Sequence, residues 1–137
     1  MCAHAVSVAM KKVEGVESVR VSLNRGEALL GLKPGNSVTV ERIRQVVRDN
    51  GFTPKDSDVE IVGKVVERGG KAALAVSGPD VVYLLVDHRH ATGKVQKLWK
   101  EAREKEVVVR GHLPETATKG RAVEPRILEV RDFAQAR

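Results

Sequence analysis

The second half of this 137-residue chain contains five short apolar segments, and they limit the fold more than any other feature of the sequence. Turn residues separate the first three segments, at Arg68-Gly69-Gly70 and at Gly78-Pro79-Asp80. Short runs rich in valine that are bounded by such turns are typical of β-strands. The sequence therefore predicts five strands, which read VEIVGKVVE, KAALAVS, VVYLLVD, EVVVRGHL and EPRILEVRDF.

One amphipathic segment interrupts these strands. In ATGKVQKLWKEAREK, the apolar residues Val95, Leu98, Trp99 and Ala102 are spaced i, i+3, i+4 and i+7, which places them on one face of a helix. This helix lies between the third and fourth strands. Because that is the order of elements in an OB-fold barrel, we expect an OB-like barrel of five strands and one helix over residues 58–137.

The first half of the chain has a different pattern. Two segments with apolar residues on one helical face enclose two segments of alternating polarity, VESVRVSL and EALLGLK. The apolar positions of the helices are Val6, Met10 and Val13 in the first, and Val40, Ile43 and Val47 in the second. Thr39 is the expected N-cap of the second helix. The sequence predicts an α+β protein with one domain over residues 1–57 and another over 58–137.

The opening of the chain carries a family resemblance. The residues concerned are Cys2-Ala3-His4-Ala5, the segment KKVEGVESVRVSL, the strand GEALLGL and the helix that ends in VRDNGF. Over residues 1–59 they resemble the heavy-metal-associated domain of copper chaperones, mercury-binding proteins and copper-pumping ATPases. The resemblance implies a ferredoxin-like lobe, with Phe52 where the family often places an aromatic residue near its metal loop.

The metal loop departs from the family pattern. The family binds a soft metal ion between the two thiolates of a Met-x-Cys-x-x-Cys loop, whereas this chain has Cys2 at the first position and Ala5 at the second. Losing one of two linked ligands lowers affinity by about 10²–10⁴. We expect little or no soft-metal binding here, with Cys2 and His4 as the candidate ligands for weakly held Cu or Zn.

The family strand that precedes the metal loop has no counterpart in the sequence. We expect one of two explanations: the gene product begins upstream, where an export signal would also lie, or another segment completes the sheet. In the second case, residues 59–66 would pair with residues 28–32, or an edge of a second chain would do so. Either pairing would make the first lobe depend on the second, and the incomplete sheet is where we expect a protein partner or a second copy of the chain to bind.

The remaining histidines do not form a recognisable site in the sequence. His88 and His90, together with Asp87, have a spacing that would suit a metal if they shared a strand face, but a polar turn before a helix favours a solvated loop. His112 is isolated at the end of a predicted strand. Because no nucleophile, base and acid occur in a catalytic spacing, the sequence predicts a protein that is not an enzyme.

Nucleic-acid binding is also disfavoured. The chain has a net charge of +6, which attracts polyanions weakly, but aromatic residues make up only 3% of it. Tyr83, Trp99 and Phe133 lie at apolar positions and are expected in the core. A basic row on the predicted helix, Lys94, Lys97, Lys100, Arg103 and Lys105, is explained by a solvated helix face.

The same sequence lacks the roughly 20 consecutive apolar residues of a membrane span, and no signal peptide is recognisable at its start. Its single cysteine excludes an internal disulfide and fits a reducing compartment. We therefore expect a cytoplasmic, non-enzymatic binding or adaptor protein. The two alternatives are a heavy-metal binder that uses Cys2 and a nucleic-acid-binding OB protein.

Overall fold

A computed structural model describes residues 3–114 and 125–136, and its contacts divide the chain into two compact units, with the division after Pro54. The protein is α+β. The first unit contains α1 (Ala3–Lys11), β1 (Val16–Ser22), β2 (Glu27–Leu32) and α2 (Val40–Asp49). The second unit contains β3 (Ser57–Arg68), β4 (Lys71–Val76), β5 (Val81–Asp87), α3 (Lys94–Ala102), β6 (Glu106–Leu113) and β7 (Arg126–Gln135).

In the first unit, β1 and β2 form an antiparallel two-stranded sheet. The helices and this sheet enclose a small core whose buried members are Val6, Met10, Val13, Val16 and Val46. Thr39 is the N-cap of α2, as predicted, and its hydroxyl accepts a hydrogen bond from the backbone N–H of Arg42 at 3.2 Å.

The predicted completion of this sheet by residues 59–66 is wrong. Those residues lie in β3, which pairs with β4 on one side and with β6 on the other. Residues 57–64 of β3 pair with β6 and residues 64–68 pair with β4, so the strand partners of this segment lie within the second unit. In the described part of the chain, β1 and β2 pair only with each other. Pairing with a second chain stays a prediction.

The five strands of the second unit pair in a closed ring. The order is β3-β4-β5-β7-β6, and β6 pairs again with β3, so that the sheet closes into a barrel. The β5–β7 pair is parallel and the other four pairs are antiparallel. Every strand of the ring therefore has a neighbour on each side, which reduces the usual risk of edge-to-edge association.

Alternation along the strands separates an inner from an outer face of this barrel. In β6, Val107, Val109, Gly111 and Leu113 are buried, whereas the residues between them are less buried or exposed. The barrel core contains thirteen buried apolar residues: Val65, Ala73, Leu74, Val81, Tyr83, Leu85, Leu98, Ala102, Val107, Val109, Leu113, Leu128 and Val130. His112 and Glu129 occupy the alternate positions and belong to the outer wall.

A β-bulge interrupts the pairing of β6 with β7. Arg110 pairs with Asp132 and Gly111 pairs with Val130, so Arg131 has no opposite residue. Gly111 allows the two strands to approach closely at this point, because a Cβ there would lie 2.9 Å from Leu128 Cδ1 and closer still to the carbonyl oxygen of Glu129. Bulges bend a strand and redirect its side chains.

The helix of the second unit is held by an acidic residue from the preceding strand. The N-cap of α3 is Gly93, which has no side chain to satisfy the first backbone N–H groups. The carboxylate of Asp87 accepts hydrogen bonds from the N–H groups of Val95 and Gly93, each at 2.8 Å. These bonds lower the pKa of Asp87 below its usual value. No helix among the described residues is long and apolar enough to cross a membrane.

Candidate metal centre

Three potential metal ligands converge on the outer wall of the barrel. His88 directly follows β5, His112 lies in β6 and Glu129 lies in β7. The register brings them together, since His112 is opposite Glu129 and the N–H of His88 donates to the carbonyl of Val130 at 3.1 Å. One ligand atom from each of the three residues lies within 4.8 Å of those of the other two.

The imidazole of His112 lies between two carboxylates. Its Nε2 is 3.2 Å from Asp56 Oδ2, and its Nδ1 is 3.5 Å from Glu129 Oε1. Both ring nitrogens are buried, and neither has the alignment of a hydrogen bond. Two buried nitrogens at ion-pair distance from carboxylates, yet without aligned hydrogen bonds, are groups that a further ligand can satisfy.

His88 is buried, with 7% of its surface exposed, and it is surrounded by donors. Its Nδ1 accepts the backbone N–H of His90 at 3.2 Å, while an amino group of Arg131 lies 3.5 Å from its Nε2. Burial lowers the pKa of His88, and the positive charge of Arg131 lowers it further. Both effects favour the neutral imidazole, which is the form that binds metal ions.

The charges around these histidines are mainly negative. Arg131 lies 3.6 Å from the carboxylate of Asp58, and both side chains are substantially exposed. Asp56 and Glu129 face His112, and Asp58 faces Arg131, so carboxylates that attract cations lie beside the two imidazoles.

The site residues predicted from the sequence differ in where they lie in the structure. Cys2 lies outside the described residues, and His4 is exposed on α1. The expectation of a solvated loop is wrong for His88, because the turn folds back onto β6 and β7, whereas His90 is exposed. Asp87 is not brought into the site, since its carboxylate caps α3.

His112 and Glu129 were not recognised from the sequence. Neither belongs to a spaced motif, because their proximity is created by strand pairing rather than by neighbouring positions in the chain. The alternation of β6 does place His112 on the outer face, so a search for histidines on outward positions of paired strands would have found it.

The aromatic residues provide little surface for stacking nucleobases. Tyr83 is buried inside the barrel, as predicted, and Phe133 is half-buried. Trp99 is also half-buried rather than fully in the core, and the guanidinium of Arg103 lies 5.3 Å from its ring centroid. The basic row on α3 is therefore not accompanied by an open aromatic platform in the described residues.

Comparison of the chain with protein-family models, with curated proteins and with solved structures gave no match in any of the three. The functional argument therefore depends on the geometry of the site.

Proposed function

We propose that this chain is a non-enzymatic binding protein whose barrel holds one divalent transition-metal ion between His88, His112 and Glu129. The observation that carries the proposal is the convergence of these three ligand atoms within 4.8 Å of one another. His112 and Glu129 lie in the neighbouring strands β6 and β7, and His88 directly follows β5. The two ligands that the sheet holds rigidly lose little conformational freedom when they bind an ion.

The ligand atoms need to move only a short distance to reach the spacing of a metal site. Ligand atoms in a tetrahedral zinc site are about 3.3 Å apart, given metal–ligand distances near 2.0–2.1 Å. Nδ1 of His112 and Oε1 of Glu129 are already 3.5 Å apart. The remaining adjustment is expected at His88, which follows the end of its strand and contacts the backbone N–H of His90 and an amino group of Arg131.

Asp56 would orient His112 for this role. An ion bound to Nδ1 of His112, on the side of Glu129, requires the ring proton on Nε2, and Nε2 faces Asp56 Oδ2 at 3.2 Å. A carboxylate behind a metal-binding histidine is a common arrangement, which fixes the tautomer and makes the imidazole a stronger ligand. Asp56 is therefore assigned as a positioning residue.

The ligand types indicate which ions to test. Two imidazole nitrogens and one carboxylate oxygen suit Zn²⁺, Cu²⁺, Ni²⁺ or Co²⁺, whereas Cu(I) prefers the sulfur ligands that this group lacks. A soft-metal site at Cys2 and His4 is the alternative, and it predicts a different dependence on substitution. The two sites do not share a ligand, so a small set of variants distinguishes them.

We also propose a fold type for each of the two units, and both types are compatible with a binding role. An OB-like barrel is supported by the closed strand order and by the position of α3 between β5 and β6. A truncated ferredoxin-like lobe related to heavy-metal-associated domains is supported by the helix, strand, strand, helix order of the first unit. Leu23, Leu29 and Leu32 are exposed in or beside its two-stranded sheet, and this favours a protein partner or a second chain there.

Calorimetric titration of the full chain with Zn²⁺ tests the metal proposal. We expect one ion per chain, and at least about tenfold weaker binding in His112→Ala and in Glu129→Gln, because each removes a ligand. His4→Ala is the matched control, since it removes an exposed histidine from the other unit. Circular dichroism of each variant shows whether the fold is retained.

A second readout follows the turn after β5. Either ring nitrogen of His88 can bind the ion only if the contact between Nδ1 and the N–H of His90 is lost. The amide resonance of His90 should therefore shift on addition of Zn²⁺, while amides of the first unit remain unchanged. Binding that survives His112→Ala and Glu129→Gln but is lost in Cys2→Ser would replace this proposal with the Cys2 site.

A further inference from the structure

The proposed ion would have an open side. His88, His112 and Glu129 supply three protein ligands, and metal sites with three protein ligands keep a position for water or another molecule. A cleft beside the site is lined by His88, His90, Ala91 and Arg131. Of these residues, His88 belongs to the ligand set, so an ion bound to His88 would lie beside this cleft.

Arg131 is placed at this cleft by the β-bulge. It is the residue of β7 that has no partner in β6, and its guanidinium lies 3.5 Å from Nε2 of His88. About half of its side chain is exposed, and its ion pair with Asp58 is long, at 3.6 Å. A weakly held arginine beside a metal site is available to a second negatively charged group.

We propose that the metal centre binds a small oxyanion, with one oxygen on the ion and another on the guanidinium of Arg131. Phosphate and carboxylate groups share this chemistry, because both present two oxygens that fit the planar fork of arginine. The inference rests on the proposed metal function. Before the ion binds, the carboxylates of Glu129 and Asp58 beside His112 and Arg131 repel an anion, so binding of the oxyanion requires the ion.

Binding of the metal ion and binding of the anion must then increase each other's affinity. If the ion raises the affinity for the anion by some factor, the anion raises the affinity for the ion by the same factor. Asp58 opposes this coupling, because it competes for Arg131 and adds a negative charge. Asp58→Asn should therefore increase anion affinity severalfold, whereas a substitution that merely damages the fold would lower it.

The experiment uses the full chain loaded with Co²⁺ or Zn²⁺, titrated separately with inorganic phosphate and with acetate by calorimetry and, for Co²⁺, by visible absorption. We expect Arg131→Gln to weaken anion binding by about tenfold or more, because it removes a charge-assisted pair of hydrogen bonds. Zn²⁺ affinity in anion-free buffer should not fall, since Arg131 is not a ligand.

Arg110→Gln is the matched control. It removes the same charge from the neighbouring strand, where Arg110 pairs with Glu60 at 3.3 Å, and it should leave anion affinity unchanged. Stronger binding of phosphate than of acetate, or the reverse, identifies the source of the oxyanion. This inference alone is overturned if the metal-loaded wild-type protein binds neither anion, or if Arg131→Gln binds the anions as tightly as the wild type does. Failure of the chain to bind Zn²⁺ overturns the metal function as well.

Discussion

Gly111 is the position at which a single added methyl group should test both the barrel and the site. In Gly111→Ala, the new Cβ would lie 2.9 Å from Leu128 Cδ1 and closer still to the carbonyl oxygen of Glu129. Real Cβ atoms essentially never approach other atoms within 3.0 Å, so the strands must separate. The carbonyl belongs to the backbone and cannot rotate away, and β6 and β7 therefore move apart at the bulge.

The size of the effect follows from this separation. Overpacking a well-packed interior by one methyl group costs about 1–3 kcal/mol of folding free energy. The strands must separate by roughly half an ångström, which exceeds the tolerance of about 0.2 Å for metal–ligand distances. Because His112 and Glu129 lie on opposite sides of this gap, we also expect Zn²⁺ affinity to fall at least tenfold.

Gly63→Ala provides the control. A Cβ at Gly63 would lie 2.7 Å from the carbonyl oxygen of Ala75 and 2.8 Å from Leu74 Cγ, so it should destabilise the same barrel at the β3–β4 pair, away from the ligands. Urea denaturation and Zn²⁺ titration of both variants separate the two effects. Equal Zn²⁺ affinity in the two variants, or an unchanged unfolding midpoint in Gly111→Ala, would refute the reasoning.

Three further substitutions test the fold. Asp87→Ala should destabilise the barrel by about 0.5–2 kcal/mol near neutral pH, because α3 loses its cap. The lowered pKa of Asp87 means that this stabilisation is present above the unfolded-state value of about 3.9 and is lost as the pH falls through the folded-state value, so urea midpoints of wild type and variant should converge in acid. Leu98→Ala should cost about 2–5 kcal/mol in thermal or urea unfolding, since Leu98 is fully buried on the inner face of α3. Thr39→Ala should cost about 1 kcal/mol through the loss of the α2 cap, and an unchanged midpoint would show that the cap contributes nothing.

Local features of the sequence were sufficient to predict where the strands and helices lie along the chain. The segment VVYLLVD was predicted as a strand and is β5 (Val81–Asp87), and KAALAVS contains β4 (Lys71–Val76). These predictions succeed because alternation and turn residues act over a few neighbouring positions. The predicted pairing of residues 59–66 failed because partner choice depends on every edge of the sheet at once.

The site could not be predicted in the same way. His88, His112 and Glu129 meet only when the parallel β5–β7 pair, the β6–β7 register and the bulge at Arg131 are all specified. A shift of one residue in the β6–β7 register would place Glu129 opposite a neighbour of His112. By contrast, Cys2 and His4 were conspicuous because they are close in the sequence, and binding there stays a prediction.

The position of β7 in the ring has a consequence for synthesis on the ribosome. β7 lies between β5 and β6, and it follows both of them in the chain. Until β7 has been synthesised and has paired, β5 and β6 each lack the neighbour that β7 supplies, and open edges recruit strands from other chains. The nascent barrel is therefore most vulnerable to aggregation before its last strand is in place.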